Sequence, residues 1–194
     1  MRALMAFVAL LIVLAVAVVA WVYSGTFNVA ASDPHPPWAR WLIETTMRQS
    51  VRAHAGGVAV PSLADPQRVE AGARLFHDHC VACHGAPGTE PLPFARAMRP
   101  EPPRLTEAVA EWTSAELFWI IKHGLKMTGM PAWGRTHADG DIWSLVAFLN
   151  QLPTMPAERY GAIVAPPAPE PQQPAPTDVV PPPETEDGEL DAPR

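Results

Sequence analysis

Two cysteines and a histidine stand together near the middle of the chain, in the order Cys80-Val81-Ala82-Cys83-His84. Thiols three positions apart on one helical turn can reach the two vinyl groups on one edge of a porphyrin, and the imidazole that follows can reach the iron. The spacing therefore predicts one covalently attached haem c, with Cys80 and Cys83 as the attachment points and His84 as the proximal axial ligand.

The motif also has three weaker interpretations. A structural zinc site usually needs four soft ligands, and the chain has only 2 cysteines. A thioredoxin-like dithiol needs a βαβ context, whereas the flanking segments have helical patterns. A chance match is the third alternative.

A thioether is available for the sixth position of a haem iron. Met130 lies in a glycine-rich loop between two helical patterns, with Gly129 before it and Pro131 after it. The glycine allows close backbone approach and the proline stiffens the loop, so Met130 is the predicted second axial ligand. The alternatives are Met127, Met98, His123 and an open sixth position.

Helices must position these residues, and their start signals are visible in the sequence. Asp65 followed by Pro66 predicts a helix start ahead of the cysteines. Thr113 and Glu116 have capping-box spacing, and the helix that follows them should end at Gly124. Asp139 or Asp141 can cap a last helix, whose apolar positions are Ile142, Leu145, Val146 and Leu149. Residues 65–153 are therefore expected to form an all-α domain, with the haem as part of its small core.

The N-terminal segment, residues 1–24, contains an uncharged apolar run from Ala3 to Tyr23. At about 1.5 Å per residue its 21 residues span roughly 31 Å, the thickness of a bilayer core. The run predicts one transmembrane anchor, with a cleaved signal peptide as the alternative. Arg2 on the short side places the N-terminus in the cytoplasm, so the rest of the chain is expected in the periplasm, at the inner membrane.

Residues 154–194 are rich in proline and poor in large apolar residues, which predicts a disordered tail. Its last part is acidic and accounts for the net charge of −6 of the whole chain. An acidic chain gains nothing from phosphate counterion release, so a nucleic-acid partner is excluded.

Residues 32–60 form a linker in which an amphipathic helix from Pro37 is closed by Gly56 and Gly57. Trp38, Trp41 and Leu42 follow helical spacing. Such a helix lies on the membrane surface or packs against the following domain, and the sequence favours neither.

The segments AGARLFHDHCVACHGAPG, PPRL, ELFWIIKHGLKMTGMPAWG and DIWSLVAFLNQLP resemble a mono-haem class I c-type cytochrome of the sort found in bacterial respiratory complexes. The resemblance implies the class I cytochrome c fold, a small helical domain wrapped around one covalent haem, and a meeting of Gly72 with the C-terminal helix near Phe148. It also implies a haem environment that contains Pro103, Arg104, Leu105 and Trp133, with Arg104 as a partner for a propionate.

With both axial positions filled, the iron has no site for a substrate, which predicts an electron-transfer protein and not an enzyme. The expected role is a membrane-anchored carrier of single electrons. Its donor would be a quinol-oxidising complex or a dehydrogenase, and its acceptor a terminal oxidase or reductase. The alternative is a dedicated haem c subunit of one membrane oxidoreductase complex. A haem enzyme or gas sensor with an open sixth site is a third hypothesis; the neighbouring His77 and His79 are expected to be exposed helical residues.

Overall fold

The computed structural model describes residues 1–166 of the chain. Its α-helices are α1 (Arg2–Tyr23), α2 (Pro37–Ala55), α3 (Pro66–His79), α4 (Val81–His84), α5 (Leu105–Ala108), α6 (Ser114–His123), α7 (Asp139–Leu149) and α8 (Ala157–Val164). Short 3₁₀ helices occupy Pro93–Ala97, Val109–Glu111, Trp133–Arg135 and Leu152–Thr154. No strand occurs within residues 1–166, and the prediction of an all-α fold is confirmed.

The core of the domain lies where α3 crosses α7. Gly72 lets the two backbones approach closely, because a Cβ at this position would lie 1.9 Å from the carbonyl oxygen of Ser144. One turn further along α3, the ring of Phe76 packs on that of Phe148 at a centroid distance of 5.1 Å, and both side chains are fully buried. The structure thus shows the meeting of Gly72 with the C-terminal helix that the resemblance implies.

Helix α6 closes a second side of this core. The ring of Phe118 stacks on Trp143 of α7 at 4.1 Å and an interplanar angle of 14°. The capping box predicted from the sequence starts the helix: the Thr113 hydroxyl accepts from the Glu116 N–H, and the Glu116 carboxylate accepts from the Thr113 N–H at 2.7 Å. Gly124 ends α6 with a φ of 64°, a conformation that favours glycine.

The starts of α3 and α7 also follow local rules. The Asp65 side chain accepts from the Gln67 N–H at 3.0 Å ahead of α3, as predicted. At the start of α7 the capping carboxylate is that of Asp141, which accepts from the Ala138 N–H at 3.1 Å. These local bonds satisfy N–H groups that have no partner inside a helix.

Helix α1 is the one helix of residues 1–166 that is long and apolar enough to cross a membrane. None of its residues is buried against the rest of the protein. Its apolar surface fits a single membrane anchor.

The prediction of a disordered tail from residue 154 is wrong for the first part of that segment. Residues Ala157–Val164 form α8, which packs on α3 and buries Tyr160 and the preceding Met155. The apolar surface on Phe76 and Phe148 is what draws this segment in, since the Tyr160 ring lies 6.5 Å and 6.0 Å from theirs. The rest of the predicted tail, residues 167–194, lies outside the described residues.

Candidate functional site

The two thiols lie on a single helical turn that follows directly from α3. Cys80 ends α3, and its carbonyl oxygen accepts from the N–H groups of Cys83 at 3.1 Å and His84 at 2.9 Å. Gly85, with a φ of 69°, then turns the chain away. Cys80 and Cys83 are both half-buried free thiols, which is the state that covalent attachment to a porphyrin needs.

Burial sets the protonation of the first thiol. Removal from water, together with the charge of the neighbouring Cys83, raises the pKa of Cys80 to about 12. Cys80 is therefore a neutral thiol at physiological pH. Among residues 1–166, moreover, no group of three or more histidine, cysteine, aspartate or glutamate side chains is arranged to hold a metal ion. Two thiols and an adjacent imidazole fit thioether attachment of a porphyrin.

The His84 ring is oriented by the backbone of a distant segment. Its Nδ1 lies 2.8 Å from the carbonyl oxygen of Pro103. Because a carbonyl only accepts hydrogen bonds, Nδ1 carries the proton and Nε2 keeps a free lone pair. Burial lowers the pKa of His84, and the hydrogen bond to Pro103 opposes this to a smaller degree. The result is a neutral imidazole with Nε2 available to a metal, an arrangement that a backbone carbonyl commonly enforces on a metal-binding histidine.

Met130 lies in a loop, here called the tied loop, that is held by hydrogen bonds among its own residues. The Leu125 N–H donates to the carbonyl oxygen of Met130 at 3.3 Å, and the Thr128 hydroxyl donates to that of Leu125 at 2.7 Å. The same hydroxyl accepts from the Met130 N–H at 3.0 Å. Gly124 lies beneath this loop, where a Cβ would come within 2.7 Å of the Met130 carbonyl oxygen. The backbone of Met130 is therefore fixed from two sides.

The alternative candidates for the sixth position have different surroundings. Met127 points into solvent, with 80% of its surface exposed, whereas Met130 is half-buried against the core. His123 is exposed, and its ring lies 5.0 Å from that of Trp119 on its own helix. Met98 lies closest to the loop, because its terminal methyl occupies the space that a side chain on Gly129 would need.

One short segment links the attachment turn to the Met130 loop. At its start the Leu92 N–H donates to the Ala82 carbonyl oxygen at 2.9 Å, and at its end Met98 rests on Gly129. The 3₁₀ helix Pro93–Ala97 lies between them. This segment thus contacts both the turn that carries the thiols and the loop that carries Met130, and nothing in the sequence pattern predicts these contacts.

The residues assigned to the haem environment by resemblance have varied surroundings. Leu105 opens α5 and packs on the core, while Pro103 orients His84. Arg104 is exposed and pairs with the Glu90 carboxylate, and its pairing with a propionate stays a prediction. That ion pair lowers the pKa of Glu90 and raises that of Arg104, the hydrogen bond being the main cause in both.

Trp133 joins an aromatic cluster beside the attachment turn. Its ring centroid lies 5.2 Å from that of His79 and 5.3 Å from that of His137, and the two imidazoles are 4.9 Å apart. His77 and His79 are exposed, as predicted, but both make contacts, since Nδ1 of His77 lies 3.1 Å from the Tyr160 hydroxyl.

The sequence of this domain is similar to those of known proteins. The family model described as cytochrome c oxidase, cbb3-type, subunit III matches residues 67–149, a range that contains the attachment turn, Pro103 and Met130. A relative named cbb3-type cytochrome c oxidase subunit FixPc, from Rhizobium leguminosarum bv. viciae, is 31% identical over 138 residues, which cover 67% of this chain and 42% of the relative. The chain therefore spans less than half the length of that curated relative.

Proposed function

We propose that the chain is a c-type cytochrome whose haem domain includes residues 67–149, and that it serves as a single-haem electron-transfer subunit of a membrane terminal oxidase complex. The observation that carries the proposal is the attachment turn, in which two free thiols precede a neutral imidazole held by the Pro103 carbonyl. Haem c, when bound, supplies one electron at a time by cycling between ferric and ferrous iron.

The residues of the chain have distinct tasks in this proposal. When haem c is bound, Cys80 and Cys83 would hold it covalently, and Nε2 of His84 and the Met130 thioether would be the ligands of its iron. Because Pro103 fixes the ring of His84 and the tied loop fixes the backbone of Met130, both ligands are positioned before an electron arrives. An iron held by these two ligands would have no position for a substrate, so the chain would transfer electrons and would not catalyse a reaction itself.

We propose a dedicated subunit in preference to a free carrier. The relative is named as a subunit of an oxidase, which supports the subunit. Helix α1 keeps the domain near other membrane proteins in either case, since tethering replaces free diffusion by a high local concentration. We place the haem domain on the periplasmic side, because Arg2 is the only charge on the short flank of α1.

Purification from membranes in a mild detergent tests this proposal. The full chain should carry one covalent haem, measured as pyridine haemochrome per polypeptide, and should co-purify stoichiometrically with the other oxidase subunits. Replacing both cysteines, Cys80→Ala with Cys83→Ala, should abolish covalent haem. A monomer that reduces several unrelated acceptors would identify a free carrier, and a chain without covalent haem would refute the cytochrome assignment of the turn.

A further inference from the structure

Helix α2 has one half docked on the haem domain. Val51 and Ala55 are buried there. Arg48 donates to the Glu111 carboxylate at 2.6 Å and lies 5.2 Å from the centre of the Trp112 ring. The His54 ring lies 5.5 Å from that of Trp119. The C-terminal half of α2 is thus a fixed part of the domain, held by apolar burial, an ion pair and aromatic contacts.

The other half of α2 carries an apolar stripe that nothing in residues 1–166 covers. Trp38, Trp41 and Leu42 expose 70%, 66% and 51% of their surfaces. Their spacing of three and four places them on one face of the helix, about a third of a turn away from the face that meets the domain. The one ion pair on this half, Arg40 with Glu44, joins two side chains that are themselves exposed.

The segment between α1 and α2 keeps this stripe close to the end of α1. It is 13 residues long, Ser24 to Pro36, and it folds on itself. The Ser24 hydroxyl donates to the Trp21 carbonyl at 2.7 Å, and Asn28 donates to the Asp33 carboxylate at 3.2 Å. Phe27 turns back to meet the ring of Trp21 edge-on at 5.8 Å. A connection bonded in this way is much shorter than its extended length.

We infer that Trp38, Trp41 and Leu42 lie in the headgroup region of the same bilayer that α1 crosses. The inference rests on α1 as an anchor and does not depend on which proteins exchange electrons with the domain. Tryptophan prefers this region because its ring is apolar and its N–H needs a polar partner. Helix α2 then acts as a brace, with its first half on the membrane and its second half fixed to the haem domain.

The size of the stripe favours a bilayer over a protein partner. The three side chains offer on the order of 400 Å² of apolar surface. A stable protein interface buries about 800 Å² on each partner, so the stripe alone is too small for one. A surface contact of a chain that is already anchored needs little area, because the anchor supplies the high local concentration.

Quenching of tryptophan fluorescence by brominated lipid tests the inference. The full haem-loaded chain carries Trp21→Phe, which removes the tryptophan at the end of α1, and is reconstituted in phosphatidylethanolamine–phosphatidylglycerol vesicles with or without bromine near the headgroups. Brominated lipid should remove most of the emission of Trp38 and Trp41. Adding Trp38→Phe and Trp41→Phe should abolish the difference between the two lipids. The matched control carries Trp119→Phe in place of these two substitutions. Trp119 lies in α6 against the docked half of α2, so this variant should keep the difference in emission between the two lipids.

Three results would overturn the inference. They are equal emission in both lipids, an equal lipid effect after Trp38 and Trp41 are replaced, and protection of these two residues only when other oxidase subunits are added. The last result would assign the stripe to a protein partner. Flotation of the chain with the vesicles checks the anchor, and haem content checks the cytochrome, so failure of either is distinguishable from failure of the brace.

Discussion

The substitution Gly72→Ala should separate the two helices that form the core. An added Cβ would lie 1.9 Å from the carbonyl oxygen of Ser144, 2.5 Å from its carbonyl carbon and 3.0 Å from Cβ of Phe148. The closest ordinary approach of carbon to a carbonyl oxygen is about 3.3 Å, so α3 and α7 must move apart by roughly 1.4 Å. Two of the three opposing atoms belong to the backbone of a buried helix and have no alternative rotamer.

This movement has a large energetic effect because the contact is central. A radial gap of about 1 Å already forfeits up to about half of the dispersion energy of each contact, and the pair Phe76–Phe148 lies one turn away. Overpacking usually costs about 1–3 kcal/mol, and an immovable backbone places Gly72→Ala at or above the upper end. A loss of about 3 kcal/mol lowers the folding equilibrium constant more than 100-fold and, in a domain of this size, lowers Tm by roughly 12–24 °C.

Thermal unfolding of the haem-loaded protein, followed by circular dichroism, measures the effect. Gly140→Ala and Gly161→Ala are matched controls, since both glycines lie in helices and an added Cβ meets nothing within 4 Å. Alanine is the better helix former by up to about 1 kcal/mol, so both controls should melt at or above the wild-type temperature. If Gly72→Ala melts within a few degrees of the wild type, the close approach of α3 and α7 does not exist as described.

Three further predictions concern the candidate iron ligands, helix α8 and a surface ion pair. Met130→Leu should remove the near-infrared sulfur-to-iron band and lower the reduction potential by a few tenths of a volt, within the roughly 0.8 V that axial ligands control. The controls Met98→Leu and Met127→Leu should keep the band. Loss of the band in Met98→Leu alone would identify Met98 as the ligand. Tyr160→Ala should lower the free energy of unfolding, measured by urea titration, by about 3 kcal/mol because the ring is buried on Phe76 and Phe148. Glu158→Ala, on the exposed side of α8, should change the free energy of unfolding by less than about 0.5 kcal/mol. Similar values for the two variants would show that α8 does not dock. Arg104→Gln should raise the pKa of Glu90 towards 4.5, which carboxyl chemical shifts would measure. Because the ion pair holds this pKa low, the stabilising effect of the pair is present above pH 4.5 and disappears as the pH falls through the lowered pKa. An unchanged titration curve of Glu90 would contradict the pairing.

Local chemistry explains what the sequence predicted well. The attachment turn, the Thr113 capping box, the Asp65 cap and the end of α6 at Gly124 each depend on residues within a few positions of one another. The same locality explains why the helical class and the apolar anchor helix followed from pattern alone. Met130 as axial ligand remains a prediction, although its half-buried side chain and its tied loop support it.

Several contacts that the sequence did not predict are made by residues far apart in the chain. The Pro103 carbonyl oxygen contacts His84 across 19 positions. Because every residue has a backbone carbonyl, the sequence pattern does not indicate which one binds a distant side chain. The α8 segment looked disordered because it is short and follows two prolines, yet Tyr160 reaches His77 across 83 positions. Its docking depends on an apolar surface that exists only after α3 and α7 have packed, and tertiary context overrides local composition there.

Helix α6 connects the proposed membrane contact to the proposed ligand. Its start is held by the Thr113–Glu116 box, and Arg52 of α2 lies 4.0 Å from the same Glu116 carboxylate. Its end is Gly124, whose missing side chain leaves room for the carbonyl of Met130. One helix of 10 residues, about 15 Å long, therefore separates the α2 dock from the Met130 loop. If the stripe on α2 rests on the bilayer, it fixes the direction of α6, and with it the direction in which the Met130 side of the domain faces. Without this brace only the linker would hold the anchored domain, and a smaller fraction of its encounters would present the correct side to a fixed acceptor.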